Sequence, residues 1–367
     1  MAHEADELLK SLKLTREHLR EAGHLDSQKK KQEEQVLEGR KWCVFVDASV
    51  VSQKTFDCAI SFLHIQNGKG WKDDLVTVHA YHPPEDSKKP VHLQGAHVLK
   101  TYETQLIKAR REYEHEMKHS LQASVLLRTS GTGVIEGLDS TRTPAGGRHP
   151  NVDTLVEVAN NEVKADWVLL GFHQSKEGQF GATADYVVKL VNANVVCIKH
   201  WRPLPKKDEE MVFVVGVDGS QAALRGLSEV LAIARPGVDK VHAIVVSKHE
   251  GAKDRETLDA VKALVDAHTP PIPVEAAWRC LDKSARNAAE LMCHVSEELG
   301  ADFLVIASRS TTNSSRPEHR ERLNELGSTA LFCTMHSKCH NMIIKTTETE
   351  FVSSPVTKSP VSKMRTY

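Results

Sequence analysis

The chain lacks the short motifs that mark most enzyme families. It has no Gly-x-Ser-x-Gly elbow, no phosphate loop ending in Gly-Lys-Ser/Thr, no H-E-x-x-H and no C-x-x-C pair. Those absences remove the common serine hydrolase, P-loop, zinc peptidase and dithiol oxidoreductase readings. The glycine fingerprint of dinucleotide enzymes is also missing after both candidate first strands, at 42–47 and 211–217, which weighs against that class. No apolar run approaches the roughly 20 residues that cross a bilayer. The first residues, "MAHEADELLK", carry acids where a targeting segment would carry bases, so a soluble, cytoplasmic protein is expected. Net charge is −1, with 48 basic and 49 acidic residues interleaved; neither nucleic acid nor an anionic membrane finds a broad basic surface here. The seven cysteines are odd in number and scattered, which speaks for a reducing compartment rather than a disulfide framework. Segments such as "KWCVFV" and "NVVCIKH" present cysteine as a small buried hydrophobe.

What is present is repetition. At 367 residues, 40% apolar and 26% charged, the chain has room for two ordinary globular domains. "KWCVFVDASV" at 41–50 matches "MVFVVGVDGS" at 211–220. "EVKADWVLLGFHQ" at 162–174 matches "ELGADFLVIASRS" at 298–310. "FGATADYVVKLVNANVVCIKH" answers to "LGSTALFCTMHSKCHNMIIK". Three landmarks in one order argue for an internal duplication. The expected domains are therefore 41–200 and 211–346, joined by the linker "WRPLPKKDEE" at 201–210. Residues 1–40 read as a charged helical extension, and 347–367 as a disordered Ser/Thr/Pro tail. Either end could engage a protein partner.

Each copy alternates apolar strands with helix, the pattern of a parallel sheet covered on both faces. Strands are expected near 42–47, 74–80, 123–128, 166–171 and 194–199, then near 211–217, 239–247, 273–279, 302–307 and 340–345. An amphipathic helix runs through Leu99, Tyr102, Leu106, Ala109, Tyr113 and Met117, which step by three or four residues. The fold class is α/β, two tandem doubly wound five-stranded parallel-sheet domains. The first copy is longer: Asp47 and Asp166 stand 119 positions apart, Asp218 and Asp302 only 84. The loop "IQNGKGWKDD" and the stretch 129–150, read as a mobile surface loop, account for much of the excess.

The order strand, Asp-Gly-Ser, helix, then "GADFLVIASRS", then "LGSTA", helix and strand resembles the universal stress protein family, repeated in tandem over residues 41 to 346. Many members of that family bind ATP and others bind none. The resemblance implies a carboxylate after the first strand at the nucleoside end, here Asp47 and Asp218, with Gly219 beside the latter. It implies adenine held by backbone at the end of the second strand, here near Ala80 and Val246. Its phosphate signature is Gly, two residues, Gly, nine residues, then Gly with Ser or Thr. Glycine lets backbone approach phosphate, and a helix start offers free N–H groups. The first copy keeps Gly171 and Gly181, but has Gln174 and Ala182 at the other two signature positions. The second keeps Gly327 and Ser328, with Ala307 and Ser310 in place of the early glycines and a longer loop bearing Arg309, Arg316, Arg320 and Arg322.

Two readings of function stay open. One is a non-enzymatic stress-response module binding an adenine nucleotide, ATP first, with the second copy favoured. The other is a scaffold whose sites have decayed. Asp218-Gly219-Ser220 is equally an ordinary turn and helix cap. The cluster "CTMHSKCH" at 333–340 has zinc-ligand residue types, but its expected place on a helix running into a strand would splay them, so no metal is assigned. "HPP" at 82–84, with His79 nearby, reads as a strand-exit turn. Related proteins pair through the final strand, so the copies are expected to form an intramolecular pseudo-dimer, with a homodimer as the further option.

Overall fold

The structure is a computed structural model that describes residues 39–68, 73–81, 83–117, 122–129, 150–172, 182–199, 202–205, 209–268, 271–282, 285–308 and 327–345. The expected N-terminal helix, the tail, most of the 129–150 stretch and the arginine-bearing loop lie outside these residues.

Ten strands form one sheet in the order β3-β2-β1-β4-β5-β10-β9-β6-β7-β8. They are β1 Lys41–Phe45, β2 Asp74–Tyr81, β3 Gln122–Thr129, β4 Trp167–Phe172 and β5 Asn194–Lys199, then β6 Val212–Gly216, β7 Lys240–Ser247, β8 Val274–Cys280, β9 Phe303–Ala307 and β10 His340–Ile344. Each strand falls within a residue or two of its expected place. Both half-sheets share the order third, second, first, fourth, fifth, and all pairing within them is parallel. The halves join antiparallel through β5 and β10, with Val196 beside Met342.

Four helices cover one face: α1 Val50–Gly68, α2 Gly95–Met117, α5 Gln221–Ile233 and α6 Ala252–Asp266. Four cover the other: α3 Pro150–Glu157, α4 Ala182–Leu190, α7 Ala288–Glu298 and α8 Ser328–His336. The strands are apolar on both sides because each side has helices to bury against. In β1, Trp42 and Val44 enter one core while Cys43 and Phe45 enter the other. The first core crosses the seam between the halves. Phe62 of α1 lies 5.5 Å from Phe303 of β9, which stacks on Phe213 at 5.4 Å. Such contacts add about 0.5–1.5 kcal/mol each beyond their buried area. The amphipathic stripe on α2 buries Tyr102, Leu106 and Ala109 as expected. The excess in the first copy is not all loop, since α1 continues as helix to Gly68, through the first four residues of "IQNGKGWKDD".

At the amino ends of the strands, aspartates tie each first strand in place. Asp73 accepts hydrogen bonds from Arg40 N and Trp42 Nε1, and Asp166 from Lys41 N. In the second half Asp239 accepts from Met211 N, and Asp302 from Val212 N and from Arg202 of the expected linker. These carboxylates are structural and leave the opposite, carboxyl ends of the strands for a ligand.

Candidate functional site

At the carboxyl ends of β6, β7 and β9 the second half opens a cleft of about 470 Å³. The strands contribute Gly216, Ile244, Val246, Ile306 and Ala307, and α7 contributes Ala288 and Met292. Polar groups come from Asp218 and from the start of α8, at Gly327, Ser328 and Thr329. Four of the sequence-predicted positions, Asp218, Val246, Gly327 and Ser328, therefore meet in one space.

The local chain explains how each polar group is held. β6 ends at Gly216, and Gly219 turns the chain with φ +79°, where a Cβ would also strike Thr257 Oγ1 at 2.7 Å. Ser220 then caps α5, its Oγ accepting from Ala223 N at 3.2 Å. Asp218 Oδ1 accepts from Ser220 N at 3.0 Å, which fixes the carboxylate at the cleft. Gly219 and Ser220 make the turn and the cap, and Asp218 lines the cleft. Gly327 is the N-cap of α8 and brings no side chain to its first turn. The opening N–H groups of that helix, with the positive end of its dipole, accordingly lie at the cleft.

The first half is built differently at matching positions. Strand register equates Phe45 with Gly216, because Phe45 pairs with Val78 as Gly216 pairs with Ile244. Phe45 is 5% exposed and packs in the core with Val78, Ala80 and Leu170. A ring therefore stands where the second half has no side chain. Gly171 is held by packing: a Cβ there would lie 2.7 Å from Val51 Cγ1. Asp47 accepts from Ser49 N at 2.8 Å and from Ser52 Oγ at 2.7 Å, whereas Ala223 at the place of Ser52 offers no hydroxyl. Burial works against the charged form of Asp47, but the bonds from Ser49 and Ser52 outweigh it and hold the carboxyl below its ordinary range. Asp47 lines a smaller cleft of about 260 Å³ against α2, with Gln53, His97 and Tyr102; neither Ala80 nor Gly171 borders it. The structure does not bring the first-copy positions to one space. Gly181 and Ser310 lie outside the described residues, as do Gln174 and the four loop arginines.

The other clusters are part of the framework. His79 is buried, its Nδ1 2.7 Å from Val46 O, and burial lowers its pKa. Pro83–Asp86 form a single helical turn. Cys333 and Cys339 are buried, while His336 is exposed and packs 4.2 Å from Phe332. His340 is buried, with Nδ1 accepting from Lys199 N, and burial pushes its pKa down to about 3. Gly216, Ile244, Ala288 and Met292 are site residues that the sequence reading missed. One signal was available: glycine at 216 against phenylalanine at 45 in the aligned strands.

No family model matches the chain, and no curated protein does. Solved structures do. A universal stress protein from Archaeoglobus fulgidus DSM 4304 superposes with a TM-score of 0.54 over 85% of this chain and 98% of that one, at 15% identity. A universal stress protein in complex with cAMP matches 37% of this chain and 98% of its own, at 23% identity and a TM-score of 0.27. An Arabidopsis thaliana protein of the same family, with AMP bound, matches 40% and 98%, at 20% identity and a TM-score of 0.27. The chain has the universal stress protein fold. No helix among the described residues is long and apolar enough to cross a membrane.

Proposed function

We propose that this chain, on its universal stress protein fold, is a non-enzymatic module that binds an adenine nucleotide, ATP or AMP, in the cleft of its second half. The observation that carries the reading is the convergence of Asp218, Val246, Gly327 and Ser328 on one space at the carboxyl ends of β6, β7 and β9, where open α/β sheets take their ligands. The apolar lining from Ile244, Val246, Met292 and Ile306 suits a flat base. Asp218 can accept from ribose hydroxyls, and the uncapped start of α8 suits a phosphate. Asp218 is the single ionisable side chain among the described residues of the lining. Binding therefore has support here that acid–base turnover lacks. The first half, with Phe45 and Val51 in the matching space, serves as a structural partner.

Calorimetric titration of the full chain with ATP and with AMP tests this. Binding is expected in the wild type, tighter for ATP if phosphates reach α8, and ATP should be recovered intact after incubation. Gly216→Phe, which places in the second half the ring found in the first, should weaken binding at least tenfold, about 1.4 kcal/mol. Asp47→Ala should leave it unchanged. Equal loss from Asp47→Ala, or full affinity in Gly216→Phe, would overturn the assignment.

A further inference from the structure

Two cysteines stand behind the cleft on the helices that wall it. Cys293 lies on α7, one residue after Met292, and Cys333 lies on α8, three residues after Ala330. Cys333 Sγ is 3.5 Å from the carbonyl oxygen of Ala289, one turn before Cys293 on α7. The two thiols are neighbours in the same core. No other cysteine pair among the described residues is placed this way. Cys43 and Cys58 are buried in the first half on opposite faces of the sheet, one in each core, and so cannot pair. Cys280 is exposed.

We propose that Cys293 and Cys333 form a reversible disulfide, made by a hydroperoxide, that fixes α7 to α8 and so sets the width of the cleft between them. The chemistry balances with one peroxide. The Cys293 thiol gives up its proton and its thiolate attacks an oxygen of hydrogen peroxide; the O–O bond breaks, Cys293 becomes a sulfenic acid, and the departing hydroxide takes up that proton as the first water. The Cys333 sulfur then attacks the Cys293 sulfur, the S–O bond breaks, and the hydroxyl leaves as a second water with the Cys333 proton. Two thiols are oxidised and one peroxide is reduced. Cys293 is the nucleophile because its side chain keeps some exposure, 8%, whereas Cys333 is fully enclosed, so a peroxide entering from solvent meets Cys293 first. Cys333, with no exposure of its own and its sulfur against α7, is the resolving partner. The geometric consequence follows from the helices. α7 gives Ala288 and Met292 to the cleft, and α8 gives Ser328, Thr329 and Ala330. The coupling to ligand rests on the nucleotide reading above; the bond itself does not.

The test uses the full chain. It is treated with hydrogen peroxide, free thiols are alkylated, and the protein is digested with trypsin without reductant. Cleavage after Arg286, Arg309, Arg322 and Lys338 places Cys293 in the peptide 287–309 and Cys333 in 323–338. The expected product is these two peptides joined, lighter by two hydrogens than their sum, and separated again by dithiothreitol. In Cys333→Ser protein a dimedone adduct should accumulate on Cys293. Absence of the joined peptide while Cys280 is modified would overturn the proposal, as would a predominant link from Cys293 to Cys339. ATP affinity should differ at least threefold between oxidised and reduced protein; equal affinity would overturn the coupling to the cleft. A mapped disulfide in a protein that binds no nucleotide when reduced would overturn the nucleotide reading and leave the disulfide standing.

Discussion

Glycine does opposite jobs near the carboxyl ends of β4 and β6. Gly171 is small because Val51 already occupies the space above it, so Gly171→Ala would force a Cβ to within 2.7 Å of Val51 Cγ1. That overpacking should cost about 1–3 kcal/mol, read as a fall in the midpoint of denaturant unfolding, and Val51→Ala in the same chain should return much of it. Gly216 is small and leaves a cleft open. A Cβ there meets only side-chain tips, Ile306 Cδ1 at 3.1 Å and Met292 Cε at 3.4 Å, so Gly216→Ala should be tolerated with little loss. The sequence reading named Gly171 as a phosphate-side glycine because it matched a signature position. Its neighbour Val51 lies 120 positions away in the chain, and no local pattern reports that contact. Gly216 carried the clearer signal, but a glycine at a strand end has many ordinary meanings.

Helix ends decide where the polar groups of the site stand. α7 begins at Asn287, whose side chain accepts from Glu290 N at 2.9 Å. Asn287→Ala should destabilise the fold by about 1 kcal/mol, measurable by urea unfolding, and loosen the turn that carries Ala288 into the cleft. α8 has no such cap; Gly327 leaves its first N–H groups to other partners. The elements themselves were legible from sequence, because continuous β-branched strands and three-to-four-residue stripes are local patterns. All ten strands were expected within a residue or two. The site was half legible. Asp218, Val246, Gly327 and Ser328 follow a linear signature, whereas the α7 wall of Ala288 and Met292 depends on how a helix seats on a sheet. The closed first half depends on Phe45 and Val51, ordinary core residues until the two halves are compared.

The whole molecule is held at its middle by a reciprocal pair of lysines. Lys199 at the end of β5 donates to the carbonyl and hydroxyl of Ser337, which ends α8 in the other half. Lys345, just past β10, donates to Val188 O near the end of α4. Each cation thus meets the negative end of a helix across the seam. Burial lowers the pKa of both, from 10.5 to about 8. Below that pH both states hold the proton. Between about 8 and 10.5 the unfolded chain binds protons that the folded chain has released, so stability should rise with pH through this window, by up to about 1.4 kcal/mol per unit for each lysine. A Lys199→Met, Lys345→Met chain should show a flatter profile in chemical denaturation across the same range. A profile as steep as the wild type's would show that other groups are responsible.

The seam also sets a timetable for synthesis. Lys199 bonds His340 across 141 residues, so the edge of β5 meets its partner only when the second half is nearly complete. At roughly 5–20 residues per second, a ribosome leaves that apolar edge open for about 7–30 s. During this interval a neighbouring nascent chain can offer the same strand, and exchange of halves between two polypeptides becomes the characteristic error of this architecture.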